Sequence, residues 1–181
     1  MEDHYFLAVK PDRRIKEYLS YWTEENAQYL FFRKWVHPAD FHITLFFLGA
    51  AEESKLAAII KQGHILKKHT TSFHLKLERE GVFGSKKQPR ILWAGVEKSA
   101  ALFNLQAGVA GVCEEAGFDV ETRPYRPHIT LARKWDGGKQ IYSETEKQLS
   151  HLESLEWKVS EFYLFRTRPK QEPKYEIVET F

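Results

Sequence analysis

The sequence of 181 residues has little from which to build a disulfide, a metal cluster or a membrane segment. Cys113 is its single cysteine, which excludes an internal disulfide and any site that needs several thiolates, such as an iron–sulfur cluster. Its ten glycines form no Gly-rich phosphate loop. No apolar run reaches the roughly 20 residues of a membrane helix, and the first residues are acidic where a signal peptide is basic. We therefore expect a soluble, cytoplasmic protein that does not associate with membranes.

Charge is nearly balanced, because 27 Lys and Arg side chains oppose 25 Asp and Glu side chains. The cations nevertheless cluster, at residues 86–90, 123–134 and 166–170. Local clusters in a chain of net charge +2 suit a small anionic group such as a phosphate better than extended duplex DNA. Aromatic residues make up 14% of the chain, and such rings either pack in the core or stack on nucleobases.

The spacing of apolar residues predicts a mixture of strands and helices. Strands are predicted at residues 4–9, 41–48, 73–78, 90–96, 118–121, 128–132, 159–165 and 175–181. Helices are predicted after Pro11, at residues 52–68 and 99–117, and from a capping-box pattern at Ser143 to about residue 151. The irregular order of these elements favours an α+β fold over a doubly wound sheet. Since no long linker interrupts the chain, residues 1–181 are predicted to form one domain.

One tetrapeptide occurs twice, as His-Ile-Thr-Leu at residues 42–45 and again at 128–131. Each copy lies in a predicted strand and follows a proline, Pro38 or Pro127. Because residues i and i+2 of a strand point to the same side, each copy places an imidazole beside a hydroxyl. A buried His can also serve as a simple core hydrogen-bonding group, but two matching copies favour a shared site. A third His-x-Thr, at 69–71, lies between a predicted helix and strand and is treated as unrelated.

Displacement at phosphorus is the chemistry that two histidines suit best. A base must activate the nucleophile on one side of the phosphorus, and an acid must protonate the leaving oxygen on the other. Imidazole serves both purposes because its usual pKa is near 6.5. The two threonine hydroxyls can donate to the phosphate oxygens. Zinc binding is the alternative, but it usually needs a third protein ligand, and neither tetrapeptide contains Asp, Glu or Cys.

Further segments accompany the two motifs: Phe6 and Ala8, residues 42–49, Phe83-Gly84, residues 89–93, residues 126–133 and Tyr175. Together they make the chain resemble the 2H phosphoesterases, and among these the RNA 2′,3′-cyclic phosphodiesterases formerly described as LigT-type 2′-5′ RNA ligases. The resemblance implies two pseudo-symmetric lobes, each an antiparallel sheet backed by helices, with a central cleft. It also implies metal-independent hydrolysis, without a cofactor, of RNA ends or nucleotides carrying a 2′,3′-cyclic phosphate. The product is a 2′-phosphate, and we infer no obligate protein partner.

The resemblance also implies roles for individual side chains. It makes His42 and His128 the acid–base pair, and Thr44 and Thr130 the groups that hold the phosphate. We assign His42 as the acid and His128 as the base, although the near symmetry of the sequence leaves the opposite assignment open. Arg133, five residues after His128, matches a family arginine that binds or neutralises the phosphate. In a regular strand an odd offset would place Arg133 on the opposite face, so the chain must bend or the side chain must reach around.

Two more residues match the family with an alternative for each. Phe47 lies where the family stacks a terminal base, and core packing is the other interpretation. Arg126 either contacts the phosphate or is a solvated arginine. The chain departs from the family in three places that bear on substrate preference more than on reaction type: His4, residues 165–167 and Tyr125.

Two other functions stay open at this point. One is 2′-5′ ligation, the reverse reaction. The other is a nucleotide-binding module without turnover, against which the intact pairs of His and Thr argue, because Arg or Lys alone could bind a phosphate.

Overall fold

The computed structural model describes residues 3–138 and 141–181, and within these ranges it contains nine strands and four α-helices. The strands are β1 (His4–Val9), β2 (Phe32–Trp35), β3 (Ile43–Ala50), β4 (Phe73–Gly84), β5 (Pro89–Val96), β6 (His128–Trp135), β7 (Glu156–Val159), β8 (Tyr163–Thr167) and β9 (Tyr175–Thr180). The helices are α1 (Arg13–Asn26), α2 (Glu53–Lys68), α3 (Ala100–Glu115) and the single turn α4 (Tyr142–Thr145).

The strands pair antiparallel in the order β7-β4-β5-β6-β3-β1-β8-β9, with β2 beside the C-terminal part of β6. This order divides into two halves that meet at the strands bearing the repeated motif, β3 in the first half and β6 in the second. Ile43 and Ile129 form the pair that joins them. The two halves are therefore continuous in one curled sheet, and the predicted α+β fold with antiparallel strands is confirmed.

Helices cover one face of this sheet and connect its halves. Although α1 follows β1, it packs on the second half, where the Trp22 indole donates to the Ser150 carbonyl at 2.8 Å. In contrast, α2 and α3 lie behind the first half. A Cβ on Gly63 of α2 would lie 2.5 Å from the Phe181 ring, so only glycine allows this close approach. A single apolar core between helices and sheet draws residues from both halves.

Most predicted elements are present, but three predictions are wrong in part. Residues 118–121 form no strand, and Val120 in their middle is 39% exposed. The Ser143 capping box is wrong, because α4 begins at Tyr142, its N-cap residue Ile141 provides no side-chain cap, and the helix ends after one turn. The strand predicted at 159–165 is divided between β7 and β8 around the buried Phe162. Strand β2 was not predicted.

No helix within the described residues is long and apolar enough to span a membrane.

Candidate active site

The Ile43–Ile129 pair aligns the two motifs across the join between the halves. Both isoleucine side chains are fully buried in the core. Because side chains alternate along a strand, the His and Thr on either side of each isoleucine project from the opposite face. Around an antiparallel pair the two histidines are diagonal neighbours, and such neighbours are about 7–8 Å apart. We call this surface the histidine face; it carries His42, Thr44, His128 and Thr130.

Each imidazole is held by a main-chain carbonyl two residues before it. Nδ1 of His42 lies 2.6 Å from the carbonyl oxygen of Asp40, and Nδ1 of His128 lies 2.7 Å from that of Arg126. A carbonyl oxygen only accepts, so Nδ1 carries the proton in both rings. The lone pair of each neutral ring is therefore on Nε2, the atom that can accept a proton from substrate or return one to it.

Aromatic rings pack against both imidazoles. The ring centroid of Phe6 lies 4.8 Å from that of His42, and the Tyr175 ring meets His42 edge-on at 5.1 Å. In the second half, Phe83 meets His128 edge-on, also at 4.8 Å. These contacts fix the ring planes and remove water from one side of each imidazole.

Burial determines the protonation of both histidines. It lowers the pKa of His42 from its usual 6.5 to about 4, although the hydrogen bond to the Asp40 carbonyl and the Asp40 charge act in the other direction. Burial also lowers the pKa of His128, against its hydrogen bond to the Arg126 carbonyl. The positive charge of Arg133 lowers both pKa values further, so its guanidinium lies within electrostatic reach of both rings. Both imidazoles are consequently neutral at pH 7 in the unliganded protein.

A β-bulge in β3 brings Phe47 to the histidine face. Thr44 is opposite Ala8 and Phe47 is opposite Phe6, so three steps along β3 match two steps along β1. Leu45 is the extra residue of this bulge, so the side chains that follow it alternate with a shift of one position. Phe6 and Ala8 share one face of β1, and Phe6 packs on His42, so Phe47 projects on the same side as the histidine.

The second motif contains a bulge at the equivalent leucine. Thr130 is opposite Trp93 and Arg133 is opposite Ile91, which makes Leu131 the extra residue of β6. Since Trp93 and Ile91 share a face of β5, Arg133 projects from the histidine face together with Thr130. This bulge is the bend that the odd offset of Arg133 required.

The structure separates some of the alternatives left open by the sequence. Phe47 is 63% exposed, so the core-packing interpretation is wrong, while base stacking stays a prediction. The side chain of Arg126 is exposed, and its contact with a phosphate also stays a prediction. Thr70, in the third His-x-Thr, donates to the Leu66 carbonyl at the end of α2 and takes no part in the histidine face.

Sequence reasoning missed Asp40, which is 4% exposed. Its carboxylate accepts the backbone N–H groups of Lys174 at 2.9 Å and Tyr175 at 3.1 Å. Through these bonds the Asp40 side chain fixes the start of β9, including Tyr175. The main-chain carbonyl of the same residue accepts the hydrogen bond from His42. The available signal was an acidic residue two positions before a motif histidine in an otherwise apolar segment. Within the described residues, no three His, Cys, Asp or Glu side chains are grouped for metal binding.

One face of the paired strands thus carries two imidazole nitrogens, two hydroxyls and a guanidinium, a set of groups that can donate and accept protons beside a bound anion. The family model of the 2′-5′ RNA ligase superfamily matches residues 11–171. The chain belongs to this superfamily, and the resemblance noted in its motifs is confirmed.

Relatives and solved structures agree with this assignment. The RNA 2′,3′-cyclic phosphodiesterase of Bacillus subtilis (strain 168) is 35% identical over 178 residues, which cover 98% of this chain and 95% of that protein. The protein of the same name from Geobacillus stearothermophilus is 37% identical over 178 residues, 98% of this chain but 56% of that protein. The chain thus spans about half the length of this second relative.

Among solved structures, E. coli LigT complexed with 3′-AMP superposes with a TM-score of 0.79 at 22% identity, covering 100% of this chain and 98% of that one. TT0787 of Thermus thermophilus superposes with a TM-score of 0.78 at 26% identity, covering 98% of this chain and 96% of that one. These similarities confirm the fold.

Proposed function

We propose that this protein hydrolyses the 2′,3′-cyclic phosphate at the end of an RNA chain to a 2′-phosphate, with two histidines as acid and base. The observation that carries the proposal is the matched presentation of two Nε2 atoms, each fixed through Nδ1 by a main-chain carbonyl. Arg133 on the same face supplies the positive charge that a phosphodiester requires. The names of the relatives favour hydrolysis over ligation.

The reaction needs one proton transfer at each histidine. Nε2 of His128 takes a proton from water as the water oxygen attacks phosphorus. The bond from phosphorus to the 3′ oxygen breaks, and Nε2 of His42 donates its proton to that oxygen. The hydroxyls of Thr44 and Thr130 donate to the non-bridging oxygens, where Arg133 offsets the charge that develops. A bound anion favours the imidazolium, so the phosphate itself raises the pKa of the acid towards the working pH.

Asp40 supports the assignment of His42 as the acid. Its negative charge raises the pKa of His42 against the effect of burial. The corresponding residue before His128 is Arg126, which is a cation. The Asp40 charge therefore favours the imidazolium at His42, and no carboxylate makes this contribution at His128.

We further propose that residues 1–181 act as one bilobal domain in the cytoplasm, with no resident cofactor. The packing of α1 across the second half supports a single domain, because the halves cannot separate without exposing their common core. The single cysteine, Cys113, is buried as a free thiol, which a reducing compartment permits.

The proposal is tested by incubating a short RNA that ends in a 2′,3′-cyclic phosphate with the protein in excess EDTA. We expect a 2′-phosphate from the wild type and almost none from His42→Ala or His128→Ala. Unchanged turnover in both variants, or activity that appears only with added metal, would overturn the mechanism. Tight nucleotide binding without hydrolysis would favour a binding module, and joined RNA at high end concentration would favour a ligase.

A substrate with sulfur in place of the 3′ oxygen separates the roles of the two histidines. A thiolate leaves without needing a proton, so this substrate should restore turnover to His42→Ala but not to His128→Ala. Asp40→Asn should behave as a weaker form of His42→Ala, with a reduced kcat that the sulfur substrate restores. Restoration of His128→Ala instead would reverse the assignment.

A further inference from the structure

The histidine face carries a cation that the proposed reaction does not use. Lys34 of β2 is paired directly with Arg133 of β6. Residues paired in this way project from the same face of a sheet, so Lys34 lies on the histidine face beside Arg133. Both side chains are exposed. Strand β2 therefore extends this face beyond the motif residues.

The two cations lie side by side without an acidic partner. Like charges directly opposite each other on paired strands are destabilising. Within residues 3–138 and 141–181, no carboxylate lies within 4.0 Å of the Lys34 ammonium or the Arg133 guanidinium. By contrast Arg33, the neighbour of Lys34 on β2, pairs with Asp136 at 2.7 Å. The unpaired cations are thus confined to the side of β2 that continues the histidine face, and an anion bound there would relieve their repulsion.

Lys34 lies further along the sheet than the motif residues. It is paired with Arg133, which follows His128 by five residues on β6, whereas the two motifs meet at Ile43 and Ile129. Lys34 therefore lies beside the far end of β6 and not beside the motif pairs. An anion held by Lys34 would be a second group, displaced from the reacting phosphorus in the direction of β2.

We propose that Lys34 binds the backbone phosphodiester that precedes the terminal cyclic phosphate of an RNA chain. This inference rests on the proposed function and adds to it a subsite for the nucleotide that precedes the reacting end. Arg133 takes the terminal phosphate and Lys34 takes the next one, so each cation of the pair receives its own anion.

The test compares two substrates that differ by one phosphodiester. One is a mononucleoside 2′,3′-cyclic phosphate, and the other is a dinucleotide that ends in the same group. Lys34→Ala should raise KM for the dinucleotide about fivefold, the effect of one exposed ion pair, with kcat unchanged. The mononucleotide constants should not change. The slope of log KM against log salt for the dinucleotide should fall by about 0.7, the share of one phosphate contact to a single strand.

Lys61, an exposed lysine on α2, provides the matched control. Lys61→Ala removes the same charge from the helix-covered side and should leave both substrates unaffected, whereas Lys34→Arg should keep the preference for the dinucleotide. An equal increase in KM for both substrates would mean that Lys34 contacts the reacting phosphate. An unchanged KM for the dinucleotide would mean that Lys34 does not contact the substrate. Either result overturns the proposal.

A binding measurement separates this proposal from the hydrolysis that it builds on. The probe is a fluorescent dinucleotide that already carries a terminal 2′-phosphate, so no turnover is involved. Lys34→Ala should bind it about fivefold more weakly than the wild type. If the wild type hydrolyses neither cyclic substrate but this difference persists, the proposed function fails and the subsite stands. Equal binding by both proteins overturns the subsite.

Discussion

The two halves of the molecule have the same backbone features around their motif histidines and differ in several of the side chains there. Each half holds its histidine through a main-chain carbonyl, packs a phenylalanine ring 4.8 Å from it and carries a bulge at the motif leucine. Five residues after the histidine the first half has Phe47 and the second has Arg133. Two residues before it the first half has the buried Asp40 and the second has the exposed Arg126. The shared geometry presents the two imidazoles in the same way, whereas the differing side chains give each half its own chemical character.

The strongest way to break the equivalence of the halves is to remove one imidazole at a time. His42→Ala and His128→Ala should each lower kcat/KM by about 10²- to 10⁴-fold, because each removes one of two proton transfers. Hydrolysis of the cyclic RNA substrate measures the loss. His69→Ala removes the histidine of the third His-x-Thr and should keep full activity. A comparable loss of kcat/KM in His69→Ala would mean that the two catalytic His-x-Thr motifs were wrongly identified.

Breaking the join between the halves should affect stability. Ile43→Ala or Ile129→Ala leaves a cavity at a fully buried position and should lower the free energy of unfolding by about 2–5 kcal/mol in urea titrations. Ile177 on β9 is 44% exposed, so Ile177→Ala should cost no more than about 0.5 kcal/mol. Equal costs at the three sites would show that the join is no more tightly packed than the edge of the sheet.

The two residues five positions after the histidines should contribute to different parts of the substrate. Phe47→Ala should raise KM about tenfold for cyclic nucleotides, since stacking of one base on an aromatic ring contributes about 1–3 kcal/mol. An abasic ribose 2′,3′-cyclic phosphate should be unaffected by this change. Arg133→Ala should impair both substrates alike. If Phe47→Ala weakened the abasic compound too, Phe47 would have a role other than stacking.

The smallest expected effect concerns the titration of the imidazoles, followed by NMR of the ring protons. In the unliganded protein His42 should titrate near pH 4 and His128 below its usual value. Arg133→Gln should raise both pKa values, because the guanidinium charge lowers them. Arg126→Gln keeps the carbonyl that holds His128 and should change neither. Unaltered titration in Arg133→Gln would place the guanidinium away from the rings.

The same pKa shifts contribute to the dependence of stability on pH. Both folded-state pKa values lie below the 6.5 of an unfolded histidine. The unfolded chain therefore binds more protons below pH 6.5, and these two groups lower the free energy of unfolding as pH falls from about 6.5 towards 4. Urea titrations across this range should show a smaller pH dependence in His42→Ala.

The sequence predicted the two motif strands well because the repeated motif and strand periodicity agree there. It could not locate the bulges, since Leu45 and Leu131 continue an apolar run and only pairing with β1 and β5 makes them extra residues. Residues 118–121 alternate as a strand does but have no paired neighbour. Strand β2 has four residues, three of them exposed, and its position follows from β6.

The structural role of Asp40 could not be predicted for a different physical reason. A buried carboxylate is costly unless it is hydrogen-bonded, and its partners here are the main-chain N–H groups of Lys174 and Tyr175, 134 and 135 positions away. No pattern in the neighbouring sequence indicates a contact between residues so far apart in the chain. Lys34 was missed likewise, because its proximity to Arg133 depends on pairing between distant segments.

The main-chain anchors of the two imidazoles have a genetic consequence. A carbonyl oxygen is present whatever amino acid is encoded, so no codon change at position 40 or 126 deletes the acceptor for Nδ1. The residues at these positions are consequently open to selection for other properties, such as the charge that distinguishes Asp40 from Arg126. Loss of the ring tautomer requires a substitution that displaces the backbone itself, and such a mutation would first be detected as a folding defect.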